Sequence, residues 1–221
     1  MPLPILYLGN WNYSSWSMRP WLALKWGKIS FEPRVLPLGG PGYSKRQMAS
    51  VLAVSPTGTV PALHWEGDVI TDSLAISEWA AEQAPALWPV EARARARARA
   101  AVCEMHSGFA ALRAQLPCNL RRRAEPREWS EVVRAEIARV EAIWSGLLTR
   151  FSGDGPYLFG SKPTIADAFF TPVATRFRTY AVTLSPAAQR YATALLANEE
   201  FRVWEAAALE EPWSMPMWDS A

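Results

Sequence analysis

The acidic–hydroxyl pair Asp72-Ser73 is the first candidate for binding chemistry. An apolar helical pattern follows at Leu74, Ile76 and Trp79, so the pair stands at the predicted start of a helix. The first turn of an α-helix has amide donors without a helical acceptor and carries the positive end of the helix dipole. Such a terminus favours a bound carboxylate. The sequence leaves a second interpretation open, in which the pair only caps the helix.

A short hairpin must present this helix start. Residues 62–65 and 69–71 are apolar or β-branched runs, and Glu66-Gly67-Asp68 between them provides a glycine for a positive φ. Val60-Pro61 precedes the hairpin and excludes a helix there, because proline lacks an amide donor and pushes the residue before it toward an extended conformation.

The elements that precede the hairpin complete a recognisable order. Apolar runs predict strands at 4–8 and 34–38, and amphipathic patterns predict helices at 18–26 and 45–53. With the hairpin and the helix after it, the order is β-α-β-α-β-β-α. That order is typical of a thioredoxin-like α/β domain.

The segment 84–89 contains two prolines and interrupts this pattern, and strand signals stop after it. We therefore predict an α/β domain at 1–84, a linker at 85–90 and an all-helical domain at 91–221.

Apolar residues of the second domain recur at steps of three and four. One stripe consists of Val102, Met105, Phe109, Leu112 and Leu116 and predicts a single long helix. A second stripe over 133–151 predicts the next helix, packed antiparallel across the connection at 117–126. Helices at 185–196 and 199–208 complete a bundle, and the tail at 213–218 is expected to pack back onto the surface.

Composition argues against several classes of function. The chain has 221 residues, and its 23 basic and 21 acidic residues give a net charge of +2, so we expect neither nucleic acid nor an anionic membrane as partner. The Arg-Ala alternation at 93–100 spreads its charge around a helix, because residues two apart differ by ~200°. No apolar run reaches the ~20 residues of a membrane span. Cys103 and Cys118 have neither metal-ligand spacing nor the pattern of a disulfide framework. We therefore expect no metal site, and we expect a cytoplasmic protein, since thiols stay reduced in that compartment.

The order Val60-Pro61, hairpin, Asp72-Ser73, amphipathic helix closely resembles the glutathione-binding half of the cytosolic glutathione transferases. The resemblance implies glutathione as cosubstrate and a cis bond before Pro61. It further implies that the backbone at Thr59 and Val60 binds the cysteinyl part of glutathione, and that Asp72 and Ser73 bind its γ-glutamyl end.

Residues 160–167 carry a second part of the resemblance. Thr164 and Asp167 have the spacing of a capping box, with aspartate in place of the usual glutamate or glutamine. The run also resembles a folding signature in the helical domain of the family, which assigns Asp167 to folding rather than to chemistry.

The loop after the first strand supplies hydroxyls from Tyr13, Ser14, Ser15 and Ser17. A free thiol has a pKa of ~8.5, and a hydroxyl that donates to the sulfur near a helix N-terminus favours the thiolate. Residues 13–24 resemble the serine loop of the zeta class. That match implies Ser14 as the catalytic hydroxyl, Ser15 as a further catalytic or glutathione-binding group, and Arg19 as a residue that orients the loop. Tyr13 is the third candidate, and the alternative is a polar loop with Ser17 as helix cap.

A cation in the region 39–46 is expected to bind the glycine carboxylate of glutathione, with Lys45 as first candidate and Arg46 as second. The pocket for the second substrate is expected between the domains. Its predicted lining residues are Trp11, His106, Phe109, Arg113, Arg176 and Tyr180. Arg178 competes with Arg176 for the place of an arginine that zeta enzymes carry there.

The function that the resemblance implies is that of a homodimeric glutathione transferase, which directs the glutathione thiolate at a small hydrophobic electrophile. Two alternatives stay open: a non-catalytic binding or interaction protein with the same fold, and a glutathione-dependent isomerase. Trp16 stands where the zeta loop has a cysteine associated with maleylacetoacetate isomerase chemistry, and this departure weighs against the isomerase.

Overall fold

Four short strands form the sheet of the N-terminal domain. The computed structural model describes residues 2–219, so residues 1 and 220–221, at the outer ends of the two predicted domains, lie outside the described residues. β1 (Ile5–Leu8) runs parallel to β2 (Glu32–Val35) and antiparallel to β3 (Ala62–Trp65), and β4 (Asp68–Ile70) pairs antiparallel with β3. The strand order β2-β1-β3-β4 confirms the predicted thioredoxin-like domain.

Helices accompany the sheet and make up most of the remaining chain. The N-terminal helices are α1 (Ser15–Trp26), α2 (Ala49–Leu52) and α3 (Ser73–Gln83). The later helices are α4 (Ala92–Ser107), α5 (Ala110–Gln115), α6 (Glu131–Phe151), α7 (Ile165–Thr179), α8 (Pro186–Ala197), α9 (Glu199–Glu210) and α10 (Pro216–Asp219). Residues 92–219 contain one isolated β-bridge and otherwise only helices and connections, which confirms the predicted helical domain. Among the helices of residues 2–219, none has the length and apolar character needed to cross a membrane.

The first helix begins earlier than predicted. α1 starts at Ser15 instead of Met18, and Ser14 is its N-cap: the Ser14 hydroxyl oxygen accepts from the Ser17 amide at 3.4 Å. Ser17 is therefore not the cap, and Pro20 lies inside the helix rather than in its first turn. The sequence offers several serines that can cap, and only the tertiary fold selects among them.

Two other elements differ from the prediction. β2 spans Glu32–Val35 rather than 34–38, because its pairing with β1 already begins where Glu32 lies opposite Ile5. The predicted helix at 45–53 is divided into a 3₁₀ turn, Tyr43–Lys45, and α2. Arg46 separates the two, since its φ of 57° is incompatible with a continuous helix.

The predicted long helix with the stripe from Val102 to Leu116 is also interrupted. α4 ends at Ser107, and Phe109 adopts a φ of 60° before α5 begins. The Glu136 carboxylate of α6 accepts from the Leu112 amide at 2.6 Å, so a neighbouring helix supplies the partner that the break requires. The stripe itself stays buried, and α6 packs against α5 as predicted.

Aromatic side chains fill the centre of the helical domain. The Trp144 ring of α6 lies 4.9 Å from the Tyr191 ring and 5.7 Å from the Phe177 ring, measured between centroids. Trp144 is fully buried. The site described below therefore rests on a rigid helical base, because interiors of this kind are closely packed.

α1 and the loop before it join the two domains. The Trp21 ring of α1 lies 5.4 Å from the Trp204 ring of α9. The buried Asn12 side chain donates to Asn119 Oδ1 at 2.9 Å and accepts from the Arg121 amide at 2.9 Å. The loop that carries the serines is thus fixed by contacts from both domains.

Asp167 occupies the folding role expected of it. Its carboxylate accepts from the Thr164 amide at 2.8 Å, from the Leu158 amide at 3.1 Å and from the Tyr191 hydroxyl at 2.9 Å. The group is fully buried, and burial raises its pKa although each of these hydrogen bonds lowers it. The carboxylate thereby connects the start of α7 to α8 and to the loop before α7.

We expect Asp167→Ala to lower the free energy of unfolding by about 3 kcal/mol, because several buried donors lose their acceptor. Urea denaturation measures the effect, and Asp154→Ala, at an exposed position of the preceding turn, is the matched control. Equal stabilities of the two variants would contradict the assigned role.

Candidate active site

A cavity of about 350 Å³ lies in front of the start of α1. It brings together three of the predicted glutathione-binding residues, Ser14, Thr59 and Val60. The complete lining is Tyr13, Ser14, Trp16, Leu38, Tyr43, Ser44, Arg46, Met48, Val51, Gly58, Thr59 and Val60. Cavities of about 520 and 540 Å³ near the far end of α7 are larger, but of the candidate site residues they contain only Arg178, so size alone does not identify the site.

Ser14 presents its hydroxyl at the wall of this cavity. The residue is only 7 % exposed, and its hydroxyl donates to Ser17 Oγ at 2.7 Å. Ser17 Oγ also accepts from the Gly9 amide at 3.1 Å, which holds the serine pair against the end of β1. A sulfur atom in the cavity would compete with Ser17 for the Ser14 proton at the positive end of α1.

The hydroxyl groups of Ser15 and Tyr13, next to Ser14, form hydrogen bonds with other residues of the protein. The Ser15 hydroxyl oxygen accepts from Arg176 Nη2 at 3.0 Å beneath the loop. Ser15 does not line the cavity, although it was predicted to be a catalytic or glutathione-binding residue. The Tyr13 hydroxyl donates to Asp219 Oδ1 at 2.7 Å and accepts from the Met215 amide at 3.1 Å. Burial raises the pKa of Tyr13, and Asp219 adds to the increase.

The proline turn forms the opposite wall. The Val60–Pro61 bond is cis, as the resemblance implied. Hydrogen bonds between hydroxyl groups join Ser55 to Thr57 at 3.1 Å and Thr57 to Thr59 at 2.7 Å. Thr59, which precedes Val60, is therefore held in place by the loop at 55–59.

Asp72 caps α3, as the second of the two interpretations left open above predicts. Its Oδ1 accepts from the Leu74 amide at 2.8 Å and from the Ala75 amide at 3.3 Å, which makes it the N-cap of α3. Its Oδ2 lies 3.0 Å from His106 Nε2, a contact with the helical domain that the sequence did not predict. Ser73 is fully buried, and its Oγ has no hydrogen-bond partner among the described residues.

His106 stands between this carboxylate and a group of cations. Burial lowers its pKa; Asp72 opposes the decrease, whereas Arg19 and Arg113 add to it. Its ring meets the Trp16 ring at 88° with 5.4 Å between centroids. Asp72 and the two arginines therefore act on the pKa of the imidazole in opposite directions.

Three arginines converge around Trp16 and Ser15. Arg19 is 2 % exposed, its guanidinium carbon lies 4.2 Å from the Trp16 ring centroid, and its Nε and Nη1 have no hydrogen-bond partner within residues 2–219. Arg113 lies 4.7 Å from the same centroid. Burial lowers the pKa of Arg113 to about 10, with a further contribution from Arg176. Burial likewise lowers the pKa values of Arg19 and Arg176, yet guanidinium groups stay charged in proteins.

The two competing arginines of α7 point to different places. Arg176 donates to the Leu116 carbonyl and to Ser15 Oγ, which puts it under the serine loop. Arg178 lies 2.5 Å from Glu205 Oε1 and lines one of the remote cavities.

Several predicted site residues lie outside the site. The Trp11 ring lies 4.4 Å from the Trp204 ring of α9, so Trp11 is part of the contact between the loop before α1 and α9. Phe109 is buried at the break after α4, and Tyr180 lies against Trp129 at 5.9 Å at the far end of α7. Lys45 is exposed in its 3₁₀ turn and does not line the cavity, whereas Arg46 does.

Sequence reasoning missed part of the arrangement. Arg19 was expected only to orient the loop, and Trp16 was treated as a departure from a pattern. A charged residue within the apolar run 18–24 was the available signal for a buried cation. Among the described residues, no three His, Cys, Asp or Glu side chains are grouped to hold a metal ion.

Comparisons with known proteins identify a family and several relatives. The family description "Glutathione S-transferase, N-terminal domain" matches residues 13–83, and "Glutathione S-transferase, C-terminal domain" matches residues 127–205. A maleylpyruvate isomerase of Ralstonia is 32 % identical over 197 residues, which cover 81 % of this chain and 85 % of the relative. A probable maleylacetoacetate isomerase of Caenorhabditis elegans is 30 % identical over 186 residues, 83 % of each chain.

Solved structures show the same fold. A maleylpyruvate isomerase described as a bacterial zeta-class glutathione S-transferase has a TM-score of 0.70 and 25 % identity, with 95 % of this chain and 99 % of that chain covered. A glutathione transferase homologue from Burkholderia with bound glutathione has a TM-score of 0.70 and 23 % identity, with 94 % and 99 % covered.

We expect Asp72→Asn to lower the pKa of His106 further, because the carboxylate charge that raises it is removed. Proton NMR titration of the imidazole signals measures the shift. His64 is the only other histidine of the chain, and its signal is the internal control. An unchanged His106 titration would contradict the pairing with Asp72.

Proposed function

The chain belongs to the glutathione S-transferase family, and from this premise we propose that it is a glutathione-dependent isomerase of a small maleyl-type diacid. The names of its relatives support isomerisation better than conjugation as the main activity. The sequence-based argument from Trp16 pointed the other way, and the relatives outweigh it. A protein cysteine is dispensable where the cosubstrate supplies the thiol.

The observation that carries this proposal is the concentration of buried and half-buried positive charge behind Trp16, which lines the Ser14 cavity. Arg19, Arg113 and Arg176 are brought together, and Arg19 retains donors without a partner among the described residues. Buried charges are costly unless a partner compensates them. A substrate with carboxylate groups supplies that compensation, whereas a purely hydrophobic electrophile does not.

The cavity also suits glutathione. Its volume fits a polar tripeptide, and we propose that the backbone at Val60 pairs with its cysteinyl part. We propose Arg46 rather than Lys45 for the glycine carboxylate, because Arg46 lines the cavity. Asp72 and Ser73 are proposed for the γ-glutamyl end, with Asp72 shared between this end and His106.

Bound glutathione would supply the sulfur nucleophile that adds reversibly to the double bond of the substrate. In this proposal Ser14 donates its hydroxyl proton in a hydrogen bond to the sulfur, and the N-terminus of α1 stabilises the negative charge. Arg19 and Arg113 bind the substrate carboxylates and hold the double bond over the cavity. Trp16 separates these cations from solvent and strengthens their attraction to the substrate.

The family premise extends to assembly and location. We propose a homodimer in the cytoplasm, as the resemblance implied. Light scattering distinguishes this assembly from a monomer. A non-catalytic binding protein is the competing hypothesis, and it gains if glutathione binds while neither an electrophile nor a maleyl substrate is consumed.

We expect Ser14→Ala to reduce the rate of isomerisation by about 100-fold, the order of loss seen when one donor to a developing anion is removed. Conversion of maleylacetoacetate or maleylpyruvate to the fumaryl isomer measures the rate, and calorimetry measures glutathione affinity, which should change less. Ser15→Ala is the comparison variant, since the Ser15 hydroxyl lies outside the cavity. A larger loss in the Ser15 variant would reverse the assignment.

We expect Arg19→Met to raise KM for the maleyl substrate about tenfold or more, the effect of losing one charged contact. The same variant should be more stable by about 1–3 kcal/mol, because an uncompensated buried charge is replaced by an apolar side chain of similar volume. Steady-state kinetics and urea denaturation give the two values, with Arg97→Met on the exposed face of α4 as control. An unchanged KM would contradict the carboxylate role.

A further inference from the structure

The segment after α9 returns to the loop that carries Ser14. Glu211 is buried, and its carboxylate accepts from the Trp11 amide at 2.7 Å and from the Asn12 amide at 3.1 Å. Arg121 donates to the Glu211 and Trp213 carbonyls. These contacts fix the backbone of the loop two residues before Ser14.

The end of the same segment forms hydrogen bonds with the Tyr13 hydroxyl. Asp219 Oδ1 accepts the Tyr13 hydroxyl proton at 2.7 Å and is held by Asn119 Nδ2 at 2.9 Å. The Met215 amide donates to the same tyrosine oxygen at 3.1 Å. A phenol has a single proton to donate, so Tyr13 has no donor left for a sulfur in the cavity that it lines.

The segment also reaches a second wall of the cavity. Met215 is 2 % exposed, and a Cβ built on Gly39 would lie 3.3 Å from its Cγ. Gly39 has a φ of 94° and follows Leu38, a lining residue. Residues 211–219 therefore contact the loop before α1 and the segment after β2, each of which contributes lining residues to the Ser14 cavity.

We propose that residues 211–219 form a clamp that positions Ser14 and reserves the role of thiolate donor for it. In this clamp Glu211 and Asp219 are positioning residues: Glu211 fixes the loop backbone, and Asp219 withdraws the Tyr13 hydroxyl from the sulfur. The proposal rests on the proposed function, because it assumes that glutathione binds in this cavity.

The first test removes the backbone contacts. In Glu211→Ala the Trp11 and Asn12 amides should exchange their hydrogen about tenfold faster, the factor for one lost hydrogen bond of ordinary net strength. Glu210→Ala changes the exposed neighbouring glutamate and should leave both rates unchanged. This readout needs no ligand, so it stays decisive if glutathione does not bind and the proposed function fails. Unchanged exchange in Glu211→Ala would overturn the clamp.

The second test asks which hydroxyl serves the sulfur. The pKa of the bound glutathione thiol, measured from the ultraviolet absorbance of the thiolate, should rise toward ~8.5 in Ser14→Ala. Adding Asp219→Ala should lower it again, because the Tyr13 hydroxyl is released, and adding Tyr13→Phe should abolish this recovery. Asp219→Asn keeps an acceptor for Tyr13 and should give no recovery.

The outcomes separate the two hypotheses. Equal thiol pKa values in Ser14→Ala and Ser14→Ala/Asp219→Ala would overturn the reservation of the role for Ser14. A recovery that persists after Tyr13→Phe would overturn it as well. Absence of glutathione binding to the wild-type protein, with loop exchange still dependent on Glu211, would reject the proposed function and retain the mechanical clamp.

Discussion

Incompletely compensated positive charge beneath the start of α1 is the constraint on which the site depends. Arg19, Arg113 and Arg176 share a region from which most water is excluded, and Asp72 is the acidic group that raises the pKa of Arg19. Like charges in a low dielectric repel strongly, so the surrounding helices must hold them together. The carbonyls of Met105, His106 and Gly108 accept from Arg113 and offset part of this repulsion.

Both domains supply the groups that make this arrangement possible. The N-terminal domain contributes the helix start, the proline turn and Asp72, while α4 and α7 contribute His106 and Arg176. Neither set is sufficient alone, because Ser14 and Arg19 belong to the start of α1, whereas Arg113 and Arg176 come from the helical domain. The seam, the boundary between the two domains, is therefore the place where a bound anion would be stabilised most.

Local chemistry predicted the elements whose partners lie nearby in the sequence. The Val60–Pro61 turn, the hairpin, the Asp72 cap and the Asp167 box follow from residue types at fixed offsets. The break at Phe109 did not, because Glu136 of another helix caps α5. The positions of Trp11 and Tyr180 away from the Ser14 cavity have a similar reason: an aromatic ring fits a pocket wall and a core equally well, and distant neighbours such as Trp204 decide.

Asn12 makes the packing of each domain depend on the sequence of the other. Its side chain donates to Asn119 and accepts from the Arg121 amide across the seam, and both asparagines are buried. A recombinant that joins this N-terminal domain to the helical domain of a distant relative would bury an amide without its counterpart. A change at either asparagine leaves the other without its partner, so we expect the two domains to tolerate replacement only together.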